Sequence, residues 1–489
     1  MIEITILDEV NAVISNLKKS HLKQIHESMK LPKAGSFMTV AYQLKIDDGM
    51  ESLIDMDGFT YQLYLDDILE MLFELGYKES DFKIIDNRLP IENFNTHFID
   101  NKFLFNELGF DLRPRQVDCI NAVIKNRCGI LDAATNAGKT FICASISKYF
   151  NDQIQFIIIV PNTKLAVQTK ESYEKCGLDV VVCDASIKTT EKRLALFRNH
   201  KNIIITTKLL NNILKEDEES DKPVITGKRF GIMYDEVHVF GDTMFDAFRI
   251  NFCHCPIRIG MSGTIPKDKL KYAKISGCLN GDVLQTISVS ELVDNGLASD
   301  IDIQMVITED YNIKEISNQD GVRAGVWDWT KEERYYSNKV RAKVIAEFIA
   351  TLEPKNTLVL CRPDIGAEIA EHFGLTVIDK DTPLNTRDDL FSEFRNNNSH
   401  LCIASYDTSA TGISENRIFR VIEIDAGKNE VWIKQGIGRG LRLDGEVNYC
   451  EVIDISSDTY YAKKHRNERK KIYDNEKFSV KSGVIKLRV

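Results

Sequence analysis

One short segment restricts the fold of this chain more than any other: residues 133–140 read AATNAGKT. The segment follows an apolar run and precedes a helix-like stretch, which is the strand–loop–helix context of a phosphate-binding loop. In such a loop the backbone N–H groups and the N-terminus of the following helix point at phosphate oxygens. Ala133 replaces the first glycine of the usual pattern, while the Gly-Lys-Thr at its end is kept. The segment therefore predicts nucleotide binding at the end of a strand in an α/β fold.

The side chains of this loop have distinct expected roles. The Lys139 ammonium can reach the β- and γ-phosphates, and the Thr140 hydroxyl can ligate Mg²⁺. ATP and Mg²⁺ are therefore the expected cofactors. The remaining nucleotide-binding positions expected in the loop are Thr135, Asn136, Ala137 and Gly138.

Two carboxylates, Asp235 and Glu236, directly follow the apolar run 230–234. A strand ending in two carboxylates can place Asp235 near the Mg²⁺ and allow Glu236 to orient and deprotonate an attacking water. Alone, such a pair is usually a solvated strand end, but together with the loop it predicts nucleoside triphosphate hydrolysis. We expect His238 to relay the state of the γ-phosphate and not to bind metal or act as a base.

Strand-like and helix-like segments alternate from about residue 112 onward. This alternation predicts mostly parallel sheets covered by helices on both faces, in two α/β domains arranged in tandem. The predicted strands are 128–132, 155–160, 180–183, 202–206, 231–235 and 257–261 in the first domain, and 356–361, 375–379, 401–405, 420–424 and 449–455 in the second.

The expected domain boundaries follow from where this alternation begins and breaks. Residues 1–105 form a small α+β domain with a helix near 64–75, residues 106–305 the nucleotide-binding domain, and residues 306–335 an aromatic linker. Residues 336–460 form the second α/β domain, and residues 461–489 a basic C-terminal segment.

The net charge of −10 is unevenly distributed. Residues 41–100 hold 14 acidic and 4 basic side chains, whereas residues 461–489 hold 10 basic and 3 acidic ones. An acidic chain can still bind phosphates through a local basic field. No apolar run reaches membrane-spanning length, and the N-terminus has no signal-peptide pattern. We therefore expect no membrane association and a cytoplasmic location, which is the host cytoplasm if the chain is phage-encoded.

Further motifs follow in order, and over roughly residues 110–455 they resemble helicase superfamily two. Arg113 and Gln116 lie in a segment that looks like the adenine-reading motif of this family. Ser262 and Thr264 match the motif that links hydrolysis to domain movement. The resemblance implies two tandem RecA-like domains, each a parallel sheet flanked by helices, and the activity of an ATP-driven nucleic-acid motor.

The second domain carries the remaining motifs of this resemblance. Residues 435–442 read QGIGRGLR, where Gln435 begins the motif and the family places two arginine fingers, here Arg439 and Arg442. The delocalised charge of guanidinium groups suits a loose phosphoryl-transfer transition state. Gly412 is expected to contact the nucleotide. The family binds ATP between its two domains, so hydrolysis would require their closure.

Several residues are expected to contact nucleic acid. Strand-end motifs of the family grip the backbone, and aromatic side chains can stack on unpaired bases, although aromatic residues near a hinge more often only pack there. The basic C-terminal segment is either a phosphate-binding helix or a solvated one. The expected contacts are Pro161, Thr206, Thr207, Thr411, Trp327 and Trp329.

Within the superfamily, the chain is similar to phage recombination helicases of the UvsW type and to the RecG and restriction-translocase branches. Its Asp-Glu-Val-His and Ser-Gly-Thr motifs differ from those usual in the large RNA helicase branch, and Ser414 departs from the common Asp. We expect a monomeric DNA helicase or translocase that unwinds or branch-migrates branched, forked or single-stranded DNA in phage recombination, repair or replication, alone or with protein partners of those processes. The alternatives are an RNA helicase, a double-strand translocase that remodels complexes without strand separation, and a nucleotide-dependent switch without motor activity.

Overall fold

A computed structural model describes residues 1–90, 93–309, 338–410, 417–443 and 448–489. Contacts divide the chain into two compact units, Met1–Ala133 with Gly138–Thr286 and Ala134–Ala137 with Ile287–Val489. Four residues predicted to contact ligand lie outside the described residues, namely Trp327, Trp329, Thr411 and Gly412. Within the described residues, no helix is both long enough and apolar enough to cross a membrane.

The N-terminal part of the first unit is the expected small α+β domain. Its strands are β1 (Ile2–Ile6), β2 (Asn11–Ser15), β3 (Lys30–Pro32), β4 (Met50–Ser52), β5 (Phe59–Tyr61) and β6 (Phe82–Asp86). Its helices are α1 (Lys19–Ser28), α2 (Val40–Gln43) and α3 (Leu65–Glu74), followed by the short α4 (Phe105–Leu108). The main sheet has the order β5-β2-β1-β6, and β3 pairs with β4 as a separate hairpin.

This small domain packs directly on the α/β part of the same unit. The Tyr61 ring belongs to the apolar core of the α/β part, and the neighbouring Tyr64 hydroxyl donates to the carbonyl of Ala273 at 2.7 Å. Arg258 is fully buried and donates to the carbonyl of Glu9 at 2.8 Å. Gly277 allows this approach, because a Cβ there would lie 2.5 Å from the ring of Tyr61.

Replacing Gly277 by alanine is expected to destabilise the protein, although alanine is the better helix former by about 1 kcal/mol. Overpacking against Tyr61 should cost about 1–3 kcal/mol of unfolding free energy. In a Tyr61→Ala background the clash is gone, so the same substitution should raise stability instead. Thermal unfolding of the four proteins measures this change of sign, and a stabilising Gly277→Ala in the wild-type background would contradict the described packing.

The α/β part of the first unit is a seven-stranded sheet covered by helices. Its strands are β7 (Cys128–Ala133), β8 (Phe156–Val160), β9 (Val181–Cys183), β10 (Asn202–Thr206), β11 (Gly231–Asp235), β12 (Ile257–Ser262) and β13 (Val283–Ile287). Its helices are α5 (Pro114–Asn126), α6 (Lys139–Phe150), α7 (Thr163–Lys175), α8 (Thr190–Asn199), α9 (Thr207–Glu218), α10 (Asp242–Ile250) and α11 (Lys269–Leu279). The six strands predicted for this domain are confirmed, and the edge strand β13 is additional.

The strand order is β13-β7-β12-β11-β8-β10-β9, and the ladders from β7 through β9 are parallel. Central strands such as β8 are buried along their whole length, which explains their continuous β-branched sequences. Parallel pairing brings the carboxyl ends of all these strands to one edge of the sheet. In a sheet of this kind, ligands bind at that edge.

The second unit contains an eight-stranded sheet of the order β16-β17-β15-β18-β19-β14-β20, with β21 also paired to β14. Its strands are β14 (Asp300–Glu309), β15 (Thr357–Cys361), β16 (Val377–Ile378), β17 (Leu401–Ser405), β18 (Arg420–Ile424), β19 (Tyr449–Ser457), β20 (Ser479–Val480) and β21 (Ile485–Arg488). Its helices are α12 (Val289–Asp294), α13 (Lys339–Thr351), α14 (Pro363–Phe373), α15 (Leu384–Asn396), α16 (Tyr406–Ala410), α17 (Glu430–Gly440) and α18 (Tyr460–Asn475).

Three strands of this sheet come from outside the segment 336–460 that the sequence indicates. β14 pairs in parallel with β19 over nine residues, so the expected boundary at residue 305 falls inside a strand of the second sheet. β20 and β21 come from the basic C-terminal segment and pair with β14. The physical reason is edge coverage: the last strand of a sheet exposes unpaired backbone groups, and these short C-terminal strands satisfy them.

Candidate nucleotide-binding and hydrolysis site

The sheet order of the first unit gathers three sequence motifs at one edge. The strands β7, β12 and β11 are neighbours, and they end at Ala133, Ser262 and Asp235. The phosphate-binding loop therefore begins beside the Ser-Gly-Thr motif, which in turn lies beside the carboxylate pair. The phosphate-binding loop and the carboxylate pair are about 100 residues apart in the sequence, and parallel strand pairing alone brings them together.

The backbone of the phosphate-binding loop has two residues in the left-handed region. Asn136 has a φ of 71° and Gly138 a φ of 83°, and Gly138 is the residue before the first turn of α6. The carboxamide of Gln116 lies directly against Gly138, so a side chain at this position would collide with it. The φ of Gly138 therefore favours glycine at this position, and the Gln116 amide packs closely on it.

Gln116 and Arg113 open helix α5 together. The backbone N–H of Arg113 donates to Oε1 of Gln116 at 3.0 Å, which forms a capping interaction at the start of the helix. Gln116 is buried, with 5% of its surface exposed. Burial lowers the pKa of the Arg113 guanidinium. The structure therefore places the two residues expected to read adenine next to the loop, with the Gln116 amide packed on Gly138.

Lys139 and Glu236 form an ion pair at the same edge, with 3.3 Å between Nζ and Oε1. Burial lowers the pKa of Lys139, but the carboxylates of Glu236 and Asp235 outweigh it and leave that pKa above its ordinary value. Burial by itself raises the pKa of Glu236, yet Lys139 and His238 bring it down to about 2. At neutral pH an ionised carboxylate therefore lies beside a protonated lysine.

Asp235 and Glu236 differ in their surroundings although they are adjacent. Burial, followed by the Glu236 carboxylate, raises the pKa of Asp235 to about 6. Glu236 has a φ of 57°, a left-handed conformation that is uncommon for a residue with a side chain. Its backbone N–H donates to Oδ1 of Asp235 at 3.0 Å. This turn separates the two carboxylates, so that each can take a different role.

His238 connects Glu236 to the Ser-Gly-Thr motif. Its Nδ1 lies 3.2 Å from Oε2 of Glu236 and 2.8 Å from Oγ of Ser262. The Ser262 hydroxyl donates to the carbonyl of Thr264 at 2.8 Å and accepts from the backbone N–H of Thr264 at 3.0 Å. Since the Ser262 proton is used in this way, the network assigns the imidazole proton to Nδ1.

The other half of the edge carries the residues expected to hold a nucleic-acid backbone. Pro161 follows β8 and Thr206 ends β10, and these strands are neighbours in parallel register. The Thr207 hydroxyl is 2.9 Å from the hydroxyl of Tyr234, which lies one residue before the carboxylate pair. The structure thus divides the edge between the phosphate-binding motifs and the strand-end motifs.

In the second unit, helix α17 carries Gln435 and Arg439, and Arg442 follows its end. The helix lies very close to the sheet through two glycines, because a Cβ at Gly436 would meet the Glu423 carboxylate and a Cβ at Gly440 would meet the Cys450 thiol. Arg439 is 8% exposed. The glycines of this motif therefore allow the close packing of the helix that contains Arg439 and is followed by Arg442.

Glu423 is a functional candidate that the sequence patterns did not reveal. It lies in the centre of the sheet, is fully buried, and among the described residues neither carboxylate oxygen has a hydrogen-bond partner. Burial, followed by the paired residue Asp454, raises the pKa of Glu423 well above its ordinary value, while Arg469 opposes this. The available signal was a carboxyl group among the apolar residues Val421, Ile422 and Ile424 of strand β18.

Replacing Glu423 by glutamine is expected to change how stability depends on pH. Because the folded pKa is raised, stability is fully present below the ordinary value of 4.5 and falls as pH rises toward the folded value. The unfolded chain ionises in this window, at a cost of about 1.4 kcal/mol per pH unit. Tyr406, Tyr473, Asp454 and Arg469 surround the group and are unchanged by the substitution.

Thermal unfolding of wild-type protein and Glu423→Gln at several pH values above 4.5 measures this effect. The advantage of the glutamine protein should grow with pH, and the exposed Glu371→Gln serves as a matched control that should show no such trend. A difference in stability that is constant across this pH range would contradict the assignment of Glu423 as a protonated buried acid.

Two parts of the chain match known domain families. Residues 109–267 match the type III restriction enzyme res subunit family, and residues 338–444 match the helicase conserved C-terminal domain. The chain is therefore an ATP-hydrolysing helicase of superfamily two, with two parallel-sheet domains and an N-terminal α+β domain.

Among individual proteins, the chain is similar to the ATP-dependent DNA helicase UvsW of enterobacteria phage T4. The two are 22% identical over 444 residues, which cover 88% of this chain and 82% of that protein.

Solved structures show the same fold at low sequence identity. A fragment of a putative HsdR subunit of a type I restriction enzyme from Vibrio vulnificus YJ016 matches with a TM-score of 0.56 and 14% identity, covering 87% of this chain and 74% of that one. The ATP-dependent type ISP restriction-modification enzyme LlaBIII matches with a TM-score of 0.55 and 12% identity, covering 86% of this chain and 34% of that one.

Proposed function

We propose that this helicase acts on DNA, and that it unwinds or branch-migrates branched DNA in phage recombination, repair or replication. The relative in phage T4 is named as a DNA helicase, which supports DNA as the track. The observation that carries a motor function is the connection from Glu236 through His238 to Ser262 and Thr264. This connection joins the residue expected to activate water to the motif expected to transmit the result.

The expected roles at the nucleotide follow from the residues at the sheet edge. Lys139 would neutralise the β- and γ-phosphates, and Glu236 would accept a proton from the attacking water. The hydroxyl of Thr140 and the carboxylate of Asp235 are hard oxygen donors of the kind Mg²⁺ prefers, and they would hold the ion together with the phosphates. Bound Mg²⁺ would neutralise charge on the phosphate oxygens.

Three further groups of residues would complete nucleotide recognition. The loop positions would cradle the phosphates through their backbone N–H groups. Arg113 and Gln116 would contact the adenine, which requires the Gln116 amide to turn from Gly138 toward the base. Arg439 and Arg442 would stabilise the transition state as arginine fingers, with Gln435 beside them. The loop positions proposed here are Thr135, Asn136, Ala137 and Gly138.

Coupling to movement would use the hydrogen bonds of His238. Loss of the γ-phosphate would change the charge facing Glu236, and His238 would transmit that change to Ser262 and Thr264. Pro161, Thr206 and Thr207 would hold the nucleic-acid backbone from the neighbouring strand ends. We further propose that the protein works as a monomer, with recombination or replication proteins as possible partners.

The basic C-terminal helix α18 is a second proposed contact for phosphates, with a restricted set of side chains. Arg469 is fully buried and paired with Asp454, so its charge stabilises the fold and is not a surface contact for phosphates. Lys463, Lys464, Lys470 and Lys471 are exposed on the same helix, and Lys471 pairs with Glu468. These exposed lysines are the proposed candidates for phosphate binding.

Two other functions remain as alternatives. An RNA helicase would use the same ATP site, and contacts to the 2′-hydroxyl would distinguish it. A double-strand translocase would hydrolyse ATP and move without separating strands, and the similarity in fold to restriction enzymes favours considering it. The proposed DNA helicase differs from both in the nucleic acid that stimulates its ATP hydrolysis most and in the product that it forms.

Steady-state ATP hydrolysis with different nucleic acids tests the proposal. The rate is measured alone and with single-stranded DNA, duplex DNA, a four-way junction and single-stranded RNA, with Lys139→Ala as the control for background hydrolysis. We expect the largest stimulation with the four-way junction and none in the control protein. Preferential stimulation by RNA would reject DNA as the track, and stimulation by duplex DNA alone would favour the translocase.

A further inference from the structure

The second unit contains a cavity of about 320 Å³ that the motifs described above do not use. Its lining comes from the carboxyl ends of β15, β18 and β19 and from the three helices α16, α17 and α18. Ligand sites in proteins are clefts of roughly 300–1,000 Å³ with mostly apolar walls and few polar groups. The cavity is lined by Arg362, Tyr406, Asp425, Ala426, Gly427, Trp432, Ser456, Ala462, His465 and Arg469.

The cavity lies at the topological switch point of the second sheet. β15 and β18 are neighbours, but the chain leaves β15 toward β16 on one side and leaves β18 toward β19 on the other. Helices therefore diverge from this point and leave a crevice outside the carboxyl ends of the two strands. In open α/β sheets this crevice is where ligands bind.

A pair of stacked aromatic rings forms one wall of the cavity. The rings of Tyr406 and Trp432 are nearly parallel, with an interplanar angle of 6° and 5.4 Å between centroids. The hydroxyl of Tyr406 donates to the carbonyl of Ile424 at 3.1 Å, and this hydrogen bond holds the Tyr406 ring in place. Trp432 is only partly buried, so it offers a flat apolar face of the kind on which planar rings stack.

The charged groups at the cavity are balanced by ion pairs. Asp425 pairs with Arg341 at 2.6 Å, and Arg469 forms two bonds of 2.7 and 2.8 Å with Asp454. Arg362 lies 3.3 Å from Asp364. The cavity therefore carries no large net charge, and its chemistry suits a neutral planar group with hydrogen-bonding edges more than a phosphate.

We propose that this cavity binds a nucleobase, which stacks on Trp432 and is bordered by the polar groups of Arg362, His465 and Asp425. The base has two possible sources, an unpaired nucleotide of a bound strand or a free nucleoside. Lys463 and Lys464 are exposed on α18 between the lining residues Ala462 and His465 in the sequence, and this basic helix would accompany the phosphates of a strand. The strand is therefore the source that the surroundings favour.

The test compares strands with and without bases. Binding of an oligothymidylate is measured against a strand of equal length made of abasic tetrahydrofuran nucleotides, for wild-type protein, Trp432→Ala and Trp432→Phe. Trp432→Ala should weaken binding of the oligothymidylate by about five- to hundred-fold, which is the range for loss of one base–aromatic stack. Binding of the abasic strand should be unchanged, and Trp432→Phe should recover most of the affinity.

A second arm identifies the source of the base. Equilibrium dialysis with labelled thymidine measures free nucleoside binding to the same three proteins. A loss confined to the oligothymidylate assigns the cavity to a strand, whereas thymidine binding that disappears in Trp432→Ala, with equal strand affinities, assigns it to a free nucleoside. The proposal is overturned if thymidine does not bind and Trp432→Ala either weakens binding of both strands equally or weakens binding of neither strand. Thermal unfolding shows whether Trp432→Ala is folded, so equal weakening of both strands by a folded variant counts against a base site.

Discussion

Replacing Glu236 by glutamine should lower kcat for ATP hydrolysis by about 10²- to 10⁴-fold, the usual contribution of a general base. The pKa of Glu236 is lowered to about 2, so the wild-type carboxylate is ionised at neutral pH, as a general base must be. An amide has the same shape and keeps an oxygen for Lys139, but it cannot accept the proton. ATP binding should therefore be retained, while turnover is lost.

Steady-state turnover and equilibrium binding of a fluorescent ATP analogue measure the two quantities separately. The matched control is Glu171→Gln, an exposed glutamate on helix α7 of the same unit, which should leave both quantities unchanged. An unchanged kcat in Glu236→Gln would remove Glu236 from the proposed role. Loss of binding together with turnover would instead indicate that Glu236 organises the site and does not act on water.

Replacing Arg442 by alanine is expected to lower kcat by about 10³- to 10⁵-fold, the range for an arginine finger. Arg442 follows helix α17 and is partly exposed, so its removal should leave the fold intact. Arg439 is 8% exposed, so its replacement would combine the expected catalytic effect with a packing effect. Arg442→Ala is therefore the cleaner of the two substitutions.

The control for Arg442→Ala is Arg417→Ala. Arg417 is another arginine of the second unit, and its guanidinium donates to Asn398 at 2.6 Å on the surface. Arg442→Lys is also informative, since lysine keeps the charge but cannot form the planar two-pronged contact of a guanidinium. We expect Arg442→Lys to remain strongly impaired. Normal hydrolysis and normal unwinding by Arg442→Ala would refute the finger assignment.

Most strands of the two parallel sheets were predictable from the sequence, because buried parallel strands are short runs of β-branched residues. The strand β8, which reads FIIIV, is one such run. The placement of Asp235 and Ser262 at one edge with the phosphate-binding loop was also predictable, because parallel strands carry their carboxyl ends to the same edge. Local sequence patterns were sufficient to predict strands and strand ends, because these depend on residues that are close together in the sequence.

The membership of β14, β20 and β21 in the second sheet was not predictable in the same way. These strands pair across more than 100 residues of sequence, and their residues show no local signal of the partner. The packing of Gln116 on Gly138 was missed for a similar reason, since a motif specifies residue types but not side-chain conformation.

The charges within the second sheet show what sequence patterns can hide. Glu423 and Asp454 are adjacent on neighbouring strands, and Arg469 reaches Asp454 from helix α18. In the sequence, Arg469 belongs to a basic run that predicts a solvated or phosphate-binding helix. Its burial could be found only from the contact with a carboxylate 15 residues away on another element.

The most direct test of a DNA motor is an assay of strand movement. A four-way junction with a fluorophore and a quencher on different arms is mixed with the protein and ATP, and the change in fluorescence is followed over time. We predict ATP-dependent conversion of the junction to duplex products, absent with Glu236→Gln. If the wild-type protein hydrolyses ATP without any conversion of the junction, the proposed action on branched DNA is contradicted.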